Sequence, residues 1–341
     1  MTWVEVAPLV LPLLLLLLLP LVLVARQRWL PGAFSFDDKV VVITGAGRGI
    51  GRQLARRILA SANGATLVLL DVDTAALADA RASLANDEPV EAQRHSNRIL
   101  LFKCDVSDDR AVNVCIEQIR KAVAPQEIAV LVNNAGVVSG RPLMELSPDQ
   151  VRRTFSVNTL AHFWMAQAVL PSLVKAPEAL IVSVSSVMGM TSSACLTDYC
   201  ASKAAVNAFH DSLRLELWRS GHQSVRTLLV CPSAVNTGMF AGAFGGSSWA
   251  AVFARTAIPM LDEEEVAESI FRAMRRGDKL LVYCSTGWRG LVFPWVPAIA
   301  RLLPVAWYDA LMCMAGGMHG MDTFVGRAAA DAQEASKEKQ G

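Results

Sequence analysis

The chain is expected to fold as one doubly wound α/β domain around a parallel sheet. Three observations predict this. Short, nearly continuous apolar runs alternate with longer amphipathic stretches from Lys39 to about residue 285. The first apolar run leads directly into a glycine cluster. No internal repeat interrupts the alternation. Continuously apolar strands belong to sheets covered on both faces, and strand–helix alternation builds parallel sheets through right-handed crossovers.

Ahead of this domain, residues 6–25 form an apolar run of 20 residues that includes LLLLLLL at 13–19. Such a run is about long enough to cross a bilayer as a helix. Arg26 and Arg28 follow it and only Glu5 precedes it, which orients the rest of the chain toward the cytosol. A cleaved signal would want a basic start and a small residue near the cut. No basic residue stands before the run, and Leu23 occupies the place where a small residue would serve cleavage after Ala25. An uncleaved anchor over 1–28 is therefore expected. Pro8, Pro12 and Pro20 keep a membrane hairpin open as the alternative.

Strands are then expected at 39–44 (KVVVIT), 65–70 (ATLVLL), 98–104 (RILLFKC), 128–133 (IAVLVN), 179–185 (ALIVSVS), 225–231 (VRTLLVC) and 280–284 (LLVYC). Helices are expected at 49–62, 74–86, 108–123, 149–174, 198–219 and 263–275, with a polar loop over 87–97. Residues 36–285 thus make the domain. The 286–326 stretch is apolar again, carrying Trp288, Trp295 and Trp307 among Pro294, Pro297 and Pro304. It is too interrupted for a second span, so it reads either as an interfacial patch or as packing on the core. Residues 327–341 form a polar tail.

Composition excludes several functions. Of 341 residues, 32 are Lys or Arg and 31 Asp or Glu, a net charge of +1 with no long run of one sign. That predicts no nucleic-acid surface. Seven cysteines without a C-x-x-C argue for free thiols rather than disulfides or structural zinc. Five histidines without ligand spacing lead to no assigned metal.

Two places carry chemistry. After the first strand comes GAGRGIG, with Gly45, Gly49 and Gly51 spaced G-x-x-x-G-x-G. A glycine turn between strand and helix brings backbone N–H groups to a pyrophosphate. Asp71, ending the second strand about 20 residues on, suits an adenosine ribose. Arg48 points the other way, toward a 2′-phosphate, so NAD is favoured with NADP as the alternative. The second place is TDYCASK, 197–203, where Tyr199 and Lys203 share one helix face. A phenol ionises near pH ~10, and an ammonium one turn away would lower that value and make the oxygen a proton carrier.

With these residues in hand, the sequence resembles the short-chain dehydrogenase/reductase family over about residues 36–285, which implies a single Rossmann-type sheet. T-G-x-x-x-G-x-G is met by Thr44, Gly45, Gly49 and Gly51, with Arg48 and Ile50 between them. C-D-V supplies Asp105 and Val106, and N-N-A-G runs from Asn133 through Ala135 to Gly136. The resemblance implies that these residues hold the cofactor together with Asp71, Tyr199, Lys203, Pro232, Val235 and Thr237. It further implies Asn158 (in FSVNTLAHFW), Ser186, Tyr199 and Lys203 as the catalytic group, Ser186 standing 13 residues before Tyr199. One departure is Ser233 after Pro232, where the family often has glycine.

More narrowly, NNAGVVSG, AHFW, DYCASK and NTGMF resemble the membrane-anchored retinol dehydrogenases and equally the lipid-droplet 17β-hydroxysteroid dehydrogenases. That implies a membrane-bound oxidation of an apolar alcohol, retinol first and a sterol second. An NADPH-dependent lipid carbonyl reductase is the other alternative. A homodimer on the endoplasmic reticulum membrane facing the cytosol, or on lipid droplets, is implied as well. The segment after Thr237, with Met239, Phe240, Phe244, Trp249 and Phe253, is expected to form an apolar substrate lid.

Overall fold

The computed structural model describes residues 33–86, 98–243, 260–284 and 292–326. The expected anchor, the 87–97 loop, most of the expected lid and the polar tail lie outside the described residues. Among those described, no helix is long and apolar enough to cross a membrane.

The expected sheet is present. It has seven strands: β1 (Val40–Thr44), β2 (Thr66–Asp71), β3 (Arg98–Lys103), β4 (Ile128–Asn133), β5 (Ala179–Val184), β6 (Val225–Pro232) and β7 (Leu280–Tyr283). Their order is β3-β2-β1-β4-β5-β6-β7 and every pair is parallel. The strand order reverses between β1 and β4, where α/β sheets open a crevice at their C-terminal ends. Strands β1, β4 and β5 are buried at every position, as continuous apolarity requires.

Six helices flank the sheet at or near the expected places: α1 (Gly49–Ser61), α2 (Thr74–Asn86), α3 (Asp109–Val123), α5 (Ala161–Leu173), α6 (Thr197–Arg219) and α7 (Glu263–Arg276). Their ends follow local chemistry. Asp108 caps α3 by accepting from the N–H groups of Arg110 and Ala111. Asp262 and three glutamates open α7, Arg275 and Arg276 close it, and Gly277 ends it left-handed at φ 74°.

One expected helix is broken. The 149–174 stretch divides into α4 (Pro148–Phe155), a π-turn (Ser156–Leu160) and α5. The cause is Asn158, which is fully buried in the turn. Its Oδ1 accepts from Val137 N at 2.8 Å, and its Nδ2 donates to Val137 O at 2.9 Å and Ser202 Oγ at 3.0 Å. Three tertiary hydrogen bonds outweigh one regular helical turn, and such turns recur at functional sites.

The C-terminal segment adds two short helices, α8 (Val296–Ala300) and α9 (Val305–Met314). They lie over the C-terminal ends of the strands, against the site described next. All seven cysteines are free thiols.

Candidate active site

The crevice is a cavity of about 1020 Å³ running from the turn after β1 to the C-terminal segment. At its first end, Gly45 adopts φ +62°, and a side chain there would stand 2.9 Å from Ala135 Cα. A Cβ on Gly47 would lie 2.8 Å from Ala76 Cβ and 2.9 Å from Asp71 Oδ2. Glycine is thus required by close approach, and the turn leaves its backbone open to the cavity. Asp71 lines this end. Its Oδ2 accepts from Gly47 N at 3.0 Å and its Oδ1 from Asp73 N at 3.1 Å. Arg48 is drawn to the rim by an ion pair with Asp73 at 3.0 Å. Gly49, Ile50, Asp105 and Val106 line the same end, and Ala135, Gly136, Pro232, Val235 and Thr237 continue the wall.

Three residues expected at the cofactor stand behind this wall. Thr44 is buried, and its Oγ1 accepts from Asn134 N at 2.9 Å and Ala135 N at 3.0 Å, tying β1 to the end of β4. Gly51 packs α1 against the carbonyl of Gly45. Asn133 is buried, with its side-chain nitrogen lacking a hydrogen-bond partner. The residue that reaches the cavity is Asn134, which the sequence reading passed over. Its Nδ2 donates to Thr44 O at 2.9 Å and Gly45 O at 3.1 Å, clamping the glycine turn. Strand alternation separates the two asparagines, since Asn133 is the last residue of β4.

At the centre of the cavity, Ser186, Tyr199 and Lys203 come together. Ser186 follows β5 and caps a short turn by accepting from Met188 N at 3.1 Å; its hydroxyl faces Tyr199 closely enough to oppose a rise in the phenol pKa. Tyr199 and Lys203 sit on adjacent turns of α6, with Lys203 Nζ 5.8 Å from the ring centroid. Lys203 Nζ donates to Val184 O at 2.9 Å. Asn158 does not line the cavity, but its Oδ1 and Lys203 Nζ both lie close behind Gly136.

The electrostatics correct the expectation for the phenol. Burial raises the Tyr199 pKa well above its ordinary value, and the Ser186 hydroxyl opposes this only in part. The same burial lowers Lys203 to about 8. Desolvation disfavours charge on both members of the pair.

Two more features were not legible in the sequence. Asp198 is buried beside Tyr199, with Oδ2 accepting from Thr154 Oγ1 at 2.7 Å and Ser139 Oγ at 2.8 Å. It ties the start of α6 to two residues of the cavity wall. The second feature is the far wall itself, formed by Phe293, Val296, Leu311, Met312, Met321 and Phe324. Neither reading of the 286–326 segment, as patch or as core packing, placed it against the active centre. Its apolar composition was the available signal, but nothing in its spacing points to a particular partner.

Comparisons agree with this architecture. The model of the short chain dehydrogenase family matches residues 39–245. Retinol dehydrogenase 10 of Homo sapiens is 40% identical over 237 residues, covering 64% of this chain and 68% of that protein. Retinol dehydrogenase 10-B of Danio rerio is 34% identical over 304 residues, covering 85% of each. Among solved structures, a short-chain dehydrogenase/reductase from Burkholderia phymatum in complex with NAD superposes with TM-score 0.64 at 27% identity, covering 79% of this chain and 94% of that one. With the matched family, the seven-stranded sheet and the Ser–Tyr–Lys centre in agreement, this chain belongs to the short-chain dehydrogenases, a family of oxidoreductases.

Proposed function

We propose that the protein is a membrane-bound oxidoreductase that oxidises an apolar lipid alcohol, retinol to retinal first, with NAD as cofactor. The observation that carries this reading is one continuous cavity with a polar glycine-turn end, an apolar end, and Ser186, Tyr199 and Lys203 between them. The close-packed glycines at 45 and 47 and the carboxylate of Asp71 fit a dinucleotide at the polar end.

Ser186 and Tyr199 hold the alcohol oxygen between their hydroxyl groups. Tyr199 accepts the hydroxyl proton. Lys203, one turn away, favours the phenolate and reaches toward the cofactor ribose. An oxidised nicotinamide, when bound, would supply the hydride acceptor and a positive charge that favours a phenolate. Asn158 has its side-chain amide engaged by Val137 and Ser202. Holding a water that would link Lys203 to solvent as a proton relay therefore falls to a backbone carbonyl of the π-turn rather than to the Asn158 side chain. Asp71 lies where a 2′-phosphate would meet a carboxylate, and the pairing of Arg48 with Asp73 weakens the opposing signal, so NAD is preferred. The 1–28 segment would anchor the enzyme, as a homodimer, to the endoplasmic reticulum membrane with the domain facing the cytosol.

The test is an assay of full-length protein in microsomes against retinoids and hydroxysteroids, with each cofactor in turn. Retinal formation with NAD supports the reading. Faster turnover of a hydroxysteroid, or of a lipid carbonyl with NADPH, replaces it with one of the two alternatives on the same residues.

A further inference from the structure

The segment that walls the apolar end of the cavity has a second, opposite face. Residues 292–326 are held onto the loops around Tyr199 at several points. Gly317 O accepts from Ala194 N and Ser193 Oγ, both at 2.8 Å. Val325 N donates to Ala241 O at 3.0 Å, and Thr323 Oγ1 to Gly242 O at 2.6 Å. Arg301 Nε donates to Met190 O at 2.8 Å. Gly140 (φ +64°) and Gly242 (φ +80°) leave the notches in which Phe324 and the backbone of Thr323 sit, because a Cβ at either would collide with them. The segment is therefore a fixed cap rather than a loose tail.

Its outer side is strongly apolar. Leu302 is 82%, Val305 76% and Trp307 68% exposed, and Trp295, Ile299 and Met318 are exposed beside them. Within 292–326 the sequence has only Arg301, Asp309 and Asp322 as formally charged residues. Arg301 is exposed but bonded to Met190 O and Ser192 Oγ and lies over the Tyr308 ring, Asp322 pairs with His319, and Asp309 is an exposed carboxylate on α9. A single short segment exposing this many large apolar side chains marks an interaction surface. Its exposed tryptophans suit the headgroup level of a bilayer. The chain upstream permits that contact. Phe34 is buried in the domain, and its N–H is bonded to Arg275 O. Seven residues lie between Arg26 and Phe34, eight Cα steps with a reach of about 27 Å when extended. That exceeds the roughly 20 Å height of a six-residue strand, so an anchored chain can bring the far end of the sheet to the same membrane.

We propose that the cap is the face by which the domain lies on a neutral phospholipid bilayer, and that apolar substrate enters the cavity through it. The inner side of the cap lines the cavity and its outer side meets the lipid, so substrate passes without crossing water. The entrance role rests on the lipid-alcohol reading above; the lipid contact does not.

Two measurements on full-length protein separate these. In phosphatidylcholine vesicles with brominated acyl chains, Trp295→Phe/Trp307→Phe should lower bromolipid quenching of tryptophan emission roughly twofold, leaving the remainder to tryptophans elsewhere. Unchanged quenching would overturn the lipid contact and assign the surface to a second copy or to residues 244–259. In plain phosphatidylcholine vesicles, Leu302→Asp/Val305→Asp/Trp307→Asp should raise KM for vesicle-borne retinol at least about fivefold, with unchanged kcat/KM for a water-soluble secondary alcohol. The retained activity shows that the variant is folded. Equal losses on both substrates would overturn the entrance role. If retinol is not turned over at all, the lipid-alcohol reading fails while the quenching result still decides the contact.

Discussion

The two ends of the cavity are built by opposite means. The cofactor end is a backbone structure. Gly45, Gly47 and the strand ends of β1 and β4 are fixed by main-chain close approach and by the Thr44–Asn134 clamp. The substrate end is a side-chain structure, assembled from loops and from a cap more than a hundred residues distant in sequence from Tyr199's wall partners at Val138 and Ser139. Backbone geometry tolerates few residue types and so leaves a pattern. An apolar wall accepts any set of large side chains with the right volume, and leaves none.

The largest expected effect lies where the ends meet. Lys203→Met should reduce kcat by about 10³ or more while making the protein more stable by about 1–3 kcal/mol, because a buried ammonium is replaced by an apolar chain of similar length. The pH dependence has a definite sign. With its folded pKa near 8 against about 10.4 unfolded, Lys203 binds fewer protons when folded between these limits. Wild-type stability should therefore rise as pH goes from about 8 to 10.4, and fall as pH drops through 8. That contribution should vanish in Lys203→Met, as read from thermal melts across this range. A methionine variant that melts lower, with no change in pH slope, would mean that the ammonium stabilises the fold.

On the cofactor side, Gly47→Val should raise KM for NAD by about 10- to 100-fold through overpacking of about 1–3 kcal/mol, because its Cβ meets Ala76 and Asp71. KM for the alcohol should hardly change. Loss of both equally would show that the two ends are not independent. Asp71→Ser should narrow the preference for NAD over NADP by about 100-fold, since a like-charge pair at ~5 Å costs about 3 kcal/mol at an effective dielectric near 20. A wild-type enzyme with higher kcat/KM for NADP would show that Arg48, despite its pairing with Asp73, dominates.

The same contrast explains what was legible. The sheet was visible because buried parallel strands are continuously apolar, and α2 and β4 fall at the expected residues. Ser186, Tyr199 and Lys203 were identified by motif spacing and meet in space. The π-turn was hidden because its cause, Asn158 bonded to Val137 and Ser202, is tertiary. Asn134 was missed beside Asn133 because a repeated residue gives no indication of which copy faces the crevice. The Tyr199 pKa was misjudged because a pair at i, i+4 reveals the neighbouring charge but not the depth of burial.

On the substrate side, the smallest effect is expected. Phe324→Ala should raise KM for retinol by roughly threefold to tenfold, as for a partly buried aromatic wall residue, and leave KM for NAD and for a short secondary alcohol unchanged. An equal rise for the short alcohol would make Phe324 a support for the Gly140 loop rather than a wall for the lipid.

The most direct test of the account measures retinal formed with NAD by full-length protein in vesicles, wild type beside Tyr199→Phe, with cofactor affinity determined on both. The phenylalanine keeps the ring and its packing and removes only the oxygen that exchanges the proton. The account predicts retinal from the wild type, about 10³-fold less or lower from the variant, and the same affinity for NAD. Comparable rates from the two proteins would contradict it.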